Sequence, residues 1–154
     1  MRSIVLTIIT NSERNLFYFQ LKDKSYYIKE FRNTYAIFGG SVNKGEKEIN
    51  AIKRELFEEL KNNAAKLIVN KIEFIFKCKL ILKHEPHKGE LEKVTLFESI
   101  LPKKDLVKIS MLPIKEGEKG VLIKRSKINK IKFNGVKEII DEYVRNGFTE
   151  IHLE

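Results

Sequence analysis

The chain has 154 residues, 42% of them hydrophobic, and carries 30 Lys or Arg against 21 Asp or Glu, a formal net charge of +9. That length and apolar content read as one folded domain over residues 1–154 and exclude a disordered chain. No apolar run approaches the ~20 residues of a membrane span. The single cysteine, Cys78, excludes an internal disulfide. Together they predict a cytoplasmic protein with no membrane partner.

In chain order, Ser3–Thr10 and Leu16–Leu21 read as strands around a polar turn at 11–15. The apolar start is short and has no small-residue cleavage site, so it reads as a first strand, not a signal peptide. Tyr26–Glu30 reads as a short strand. Ala36–Phe38 is a strand that ends at Gly39-Gly40, where paired glycines permit a tight turn and close approach of backbone to a ligand. Residues 46–60 read as a helix with Ile49, Ile52, Leu56 and Leu60 on its apolar face. Residues 68–82 have strand character, interrupted near Asn70-Lys71, with Cys78 as a core residue. The polar loop 84–89 holds His84, Glu85 and His87, with Glu90 beyond it. With no cysteine and Pro86 between its histidines, it reads as a solvent loop and not a zinc site. Val94–Leu101 and Gly120–Lys124 are further strands. Residues 134–146 form a helix with Val136, Ile139, Ile140 and Tyr143 on its apolar side. Strands alternating with helices in this way predict an α/β sandwich.

Glu55, Glu58 and Glu59 need a separate explanation. On the helix over 46–60 they fall at i, i+3 and i+4, a stripe beside the apolar face. Like charges at that spacing cost an isolated helix roughly 0.2–0.5 kcal/mol per pair. Lys53 and Lys61 flank the stripe but do not sit within it. A hard divalent cation such as Mg²⁺ would relieve the repulsion, since it takes carboxylate oxygens together with phosphates and water.

Gly40, Glu46, Arg54, Glu55, Leu56, Glu58 and Glu59 stand in the spacing G-x5-E-x7-R-E-L-x-E-E. It resembles the Nudix box, the signature of hydrolases that cut nucleoside diphosphates linked to another group. The resemblance implies a Nudix-type α/β/α sandwich, in α/β (α+β) terms, around a mixed sheet. It implies Mg²⁺, with Mn²⁺ as a substitute, held by Glu55, Glu58 and Glu59, and a catalytic part for Glu55 and Glu58. It gives Gly39, Gly40, Glu46 and Arg54 structural parts, with Glu46 and Arg54 bracing the glycine loop against the helix. Two departures stand out. Leu60-Lys61-Asn62 replaces the usual x-Gly-apolar exit, so the helix is expected to stop at Asn62 or Asn63 in a left-handed conformation. Asn43 replaces a glutamate common in the glycine loop.

Beyond the box, Lys115-Glu116-Gly117-Glu118 before the strand Val121-Leu122-Ile123 resembles a stretch of MutT-type members. There a glutamate reaches the metal site as a ligand or general base, and Glu116 matches it, with Glu118, Glu92 and Glu90 as alternatives. Asn134 matches an asparagine that reads the base in such enzymes, and is also a good helix N-cap. Residues 102–132 carry ten Lys or Arg against three Asp or Glu. That balance attracts polyphosphate or RNA, although lysine is abundant throughout the chain. The expected partner is a nucleotide, with a nucleoside triphosphate preferred. RNA 5′-pyrophosphate removal, cleavage of a nucleotide sugar or dinucleotide, and a non-catalytic nucleotide- or RNA-binding module are the alternatives. Oligomeric state is left open, a homodimer included.

Overall fold

A computed structural model describes residues 1–29, 32–82, 87–134 and 137–146. Its strands are β1 (Arg2–Thr10), β2 (Leu16–Leu21), β3 (Tyr35–Ala36), β4 (Phe38–Ser41), β5 (Ile72–Ile81), β6 (Leu91–Ile100) and β7 (Lys119–Lys124). Its helices are α1 (Glu48–Glu59), α2 (Asn62–Val69), α3 (Lys103–Ser110) and α4 (Lys137–Asn146), with a 3-10 stretch at Arg125–Lys130.

All seven strands join one mixed sheet, ordered β3-β2-β1-β6-β5, with β4 beside β1 and β7 beside β2. β1 and β6 run parallel, from Arg2↔Glu92 to Thr10↔Ile100. The other pairings are antiparallel. A parallel pair needs a long crossover, and here it contains α1 and α2. Side chains alternate along β1. Val5 and Ile9 join the core beneath α1, α2 and α3, while Ile4, Leu6 and Ile8 join the core beneath α4. Both faces of the sheet are covered, which makes an α/β/α sandwich. α4 is fastened by Tyr143, whose hydroxyl donates to buried Glu98, while Arg14 donates to both. Among the described residues no helix is long and apolar enough to cross a membrane.

Several boundaries differ from expectation. Ile68 and Val69 belong to α2, a helix that the apolar run into β5 obscures, and α3 fills a stretch read only as basic. Residues 26–29 form turns, not a strand, and Glu30 lies outside the described residues. The glycine pair does not make the turn: Gly39 and Gly40 lie within β4, and the chain turns at 42–47, where Gly45 takes φ +78°. α1 ends at Glu59, Leu60 is extended, and Asn62 starts the next helix, so no left-handed asparagine is used. Ile49 is 36% exposed, and Glu59 takes a place on the buried side of α1. Cys78 is half-buried against the α4-side core. His84, Glu85 and Pro86 lie outside the described residues.

Candidate active site

The site grows from the contact between β4 and α1. Gly39 adopts φ +148°, and a Cβ there would fall 2.0 Å from the Val5 carbonyl oxygen, so only glycine lets β4 lie on β1. At Gly40 a Cβ would fall 2.4 Å from the Glu55 carboxyl carbon. The missing side chain is the space the Glu55 carboxylate occupies.

Arg54 ties the segments together. Its Nε and Nη2 donate to the two oxygens of Glu46, both at 2.9 Å, and Nη2 also donates to the Ser41 carbonyl at 2.9 Å. The fork geometry of guanidinium suits this two-bond grip. Glu46 also accepts from the Asn43 N–H at 3.1 Å, and Arg54 beside it holds its carboxyl down at about 2. Nη1 of Arg54 turns the other way, to Glu55 at 2.8 Å and Glu58 at 3.3 Å. Arg54 therefore carries two loads, the loop and the carboxylate stripe.

Glu59 is the unusual member. It is 3% exposed, and its Oε1 accepts the Gly39 N–H at 2.9 Å. Burial pushes its carboxyl up to about 8; the Gly39 bond and Lys22 offset part of this, while the charges of Glu55 and Glu116 add to it. The Glu55 carboxyl is also raised, by burial first, with Arg54 pulling the other way and Glu58 and Glu116 pushing further. The mutual influence of Glu55, Glu59 and Glu116 places them in one electrostatic neighbourhood.

Glu116 arrives on the segment between α3 and β7. Helix C-termini leave carbonyls without partners inside the helix, and this segment supplies those partners. Lys115 and Glu116 donate their N–H groups to the Glu59 carbonyl at 2.8 and 3.3 Å. Lys115 Nζ donates to the Phe57 carbonyl at 2.9 Å. Leu60 and Ile114 add an antiparallel bridge.

Glu55, Glu58, Glu59 and Glu116 thus gather around the C-terminal half of α1. Among the described residues, no three acidic, histidine or cysteine side chains stand close enough to form a metal cage as they are. Glu55 and Glu58 are drawn to Arg54, and Glu59 to Gly39. The donor set is nevertheless all hard oxygen, and burial and mutual repulsion raise Glu55 and Glu59; both suit a divalent cation. Of the alternatives to Glu116, Glu92 pairs with Arg2 at 3.4 Å and Glu90 with His87 at 3.2 Å; Glu118 is exposed, as Glu116 is, but the charge of Glu116 acts on the Glu55 and Glu59 carboxyls. Asn134 donates its N–H to the Tyr35 carbonyl at 2.8 Å. The helix start expected there falls at residues 135–136, outside the described residues, and α4 is described from Lys137.

Sequence reasoning missed the second load of Arg54, although its i,i+4 spacing to Glu58 was visible. It also missed Gln20, a polar residue in the apolar strand LFYFQL, whose Nε2 donates to the Glu116 carbonyl at 2.7 Å.

No family model and no curated protein matches the chain. Solved structures do match. A MutT protein from Methanosarcina mazei superposes with TM-score 0.65 at 13% identity, over 95% of this chain and 94% of that one. A MutT protein from Bacillus halodurans gives TM-score 0.62 at 16% identity, over 95% and 84%. The Escherichia coli dihydroneopterin triphosphate pyrophosphohydrolase gives 0.60 at 13%, over 86% of each chain. The chain has the fold of MutT and Nudix proteins.

Proposed function

We propose that the protein is a Nudix-type, Mg²⁺-dependent pyrophosphohydrolase that converts a nucleoside triphosphate to the monophosphate and pyrophosphate. One observation carries this reading. Glu55, Glu58 and Glu59 flank an Arg54–Glu46 brace at the end of α1, against a glycine strand that leaves room for the Glu55 carboxylate. The fold is that of proteins named as MutT and as a triphosphate pyrophosphohydrolase.

Glu55, Glu58 and Glu59 would hold the cation, Mg²⁺ or Mn²⁺, which supplies charge neutralisation to the diphosphate and makes a reacting water more acidic. Glu116, exposed and carried on a bound segment, would take the proton from that water as its oxygen bonds to phosphorus. The bridging P–O bond breaks and pyrophosphate leaves with the electron pair. Arg54 keeps the carboxylates in place and does not leave its brace. The protein's share is positioning and charge stabilisation.

A second reading, removal of pyrophosphate from the 5′ end of RNA, is motivated by the basic residues Lys103, Lys124 and Arg125, which line a cleft at the Leu16 end of β2, the end away from Gln20 and Glu116. A hydrolysis screen with Mg²⁺ and Mn²⁺ tests both readings. It should include nucleoside triphosphates, nucleotide sugars, dinucleoside polyphosphates and triphosphorylated RNA. Turnover of a free triphosphate is expected to exceed that of the others. No hydrolysis of any substrate would overturn the enzyme reading.

A further inference from the structure

The side chain of Glu116 is exposed, yet both polar groups of its main chain are taken. Its N–H donates to the Glu59 carbonyl at 3.3 Å, and its carbonyl accepts from Gln20 Nε2 at 2.7 Å. The first bond fixes it to α1 and the second to β2. The flanking residues extend this hold: Lys115 N–H bonds the same Glu59 carbonyl, and Glu118 N–H bonds the Leu21 carbonyl, both at 2.8 Å. Gly117 between them takes φ +91°, and a Cβ there would come within 3.0 Å of Gln20 Cγ and Nε2. The turn is built closely around the Gln20 amide.

Gln20 is itself supported. It is 1% exposed, so it does not reach a substrate directly. Its cross-strand partner on β7 is Gly120, and a Cβ on Gly120 would fall 1.9 Å from the Tyr18 hydroxyl oxygen. Tyr18 therefore leans over the Gln20–Gly120 pair, where glycine makes room for it. The Tyr18 hydroxyl and Gln20 Oε1 are both buried and have no hydrogen-bond partner among the described residues. A donor and an acceptor are thus left over in one neighbourhood. A buried polar group keeps its place only when its bonds and packing specify it.

We propose that Gln20 is a positioning residue for Glu116, with Tyr18, Gly117 and Gly120 shaping its seat. The Gln20 amide sets the direction from which the Glu116 carboxylate enters the carboxylate cluster, and this rests on the part given to Glu116 under the proposed function. Gln20→Met keeps the length of the side chain and removes the donor. Gln20→Leu removes both the donor and the acceptor with little change in side-chain volume.

Misplacement of a reacting group by about 1 Å costs on the order of 100-fold in rate. Both variants are expected to lower kcat by about 10- to 100-fold with KM within about twofold. In a Glu116→Gln background each should cost less than about twofold more, because residues acting through one group are not additive. Amide exchange at 116–118, read by mass spectrometry with melting temperature alongside, should speed up in both variants without loss of the global fold. Additive losses, an unchanged kcat, or a Gln20 effect where Glu116→Gln has none would each overturn the proposal. If the wild-type protein hydrolyses nothing in the screen, the proposed function falls. Exchange needs no substrate and still decides the pinning: unchanged exchange overturns it, and faster exchange at the segment with the melting temperature held supports it.

Discussion

Replacing Glu59 with Gln isolates what it costs α1 to bury a carboxylate. The residue is 3% exposed, and its carboxyl is pushed from 4.5 to about 8, by burial first. A raised carboxyl pKa means that the folded state keeps a proton which the unfolded chain has already released at neutral pH. Stability then falls as pH rises above the unfolded value and levels off above the folded one. Those two values make the metal-free protein less stable by about 3 kcal/mol at pH 7 and by about 1 kcal/mol at pH 5. Gln fits the same space and keeps a carbonyl to accept the Gly39 N–H. Glu59→Gln is therefore expected to be more stable than wild type at pH 7. For a domain of this size the gain corresponds to roughly 6–12 °C in melting temperature, and most of it should disappear by pH 5. Thermal or urea unfolding of both proteins in a chelator, from pH 5 to 8, measures this. Added Mg²⁺ should then raise the wild type and leave the variant almost unmoved, because a ligand that binds the folded state stabilises it by mass action. Stability curves that run parallel across this pH range would refute the burial argument. Equal Mg²⁺ stabilisation of both proteins would remove Glu59 from the cation's ligands.

Three further outcomes are expected. Glu58→Gln should lower turnover by several orders of magnitude at saturating Mg²⁺ while the protein melts at or slightly above the wild-type temperature; near-normal turnover would take Glu58 out of the site. Arg54→Lys should lose melting temperature and activity together, since lysine cannot bond Glu46, Ser41 and Glu55 at once; lost activity at unchanged melting temperature and Mg²⁺ affinity would point instead to substrate contact. Turnover of a free nucleoside triphosphate should depend only weakly on salt and be nearly indifferent to charge reversal at Lys124 and Arg125. A log–log slope that steepens by about 0.7 for each phosphate contact on triphosphorylated RNA, with faster turnover than any free nucleotide, would promote the RNA reading.

The parts of this molecule that were legible in the sequence are those written in local spacing. The 3.6 period marked α1 and α4, short apolar runs marked β1, β2 and β7, and fixed offsets grouped Glu46, Arg54 and the three carboxylates. Where two elements meet without a break in hydrophobicity, the pattern failed: Ile68 and Val69 read equally well as strand, so α2 was absorbed into β5. α3 was hidden because its lysines outnumber the two residues it buries, Leu106 and Ile109. The glycine pair was misread for a subtler reason. Glycine signals freedom to turn, but at 39 and 40 the freedom is used for approach, to Val5 on one side and Glu55 on the other. Contacts made at long range left no periodic trace, which is why the grip of Gln20 on Glu116, across 96 residues, emerged only from the folded chain.

Glu59 takes part in the site twice, through its side chain toward Gly39 and through its carbonyl, which receives Lys115 and Glu116. Thermal fraying of the last turn of α1 therefore cannot be a private event of that helix. Loss of the Glu59 carbonyl removes two of the bonds that hold the segment carrying Glu116, and release of that segment uncovers the end of α1. The carboxylates on both sides would leave as one cooperative unit, with a single opening free energy in native-state exchange.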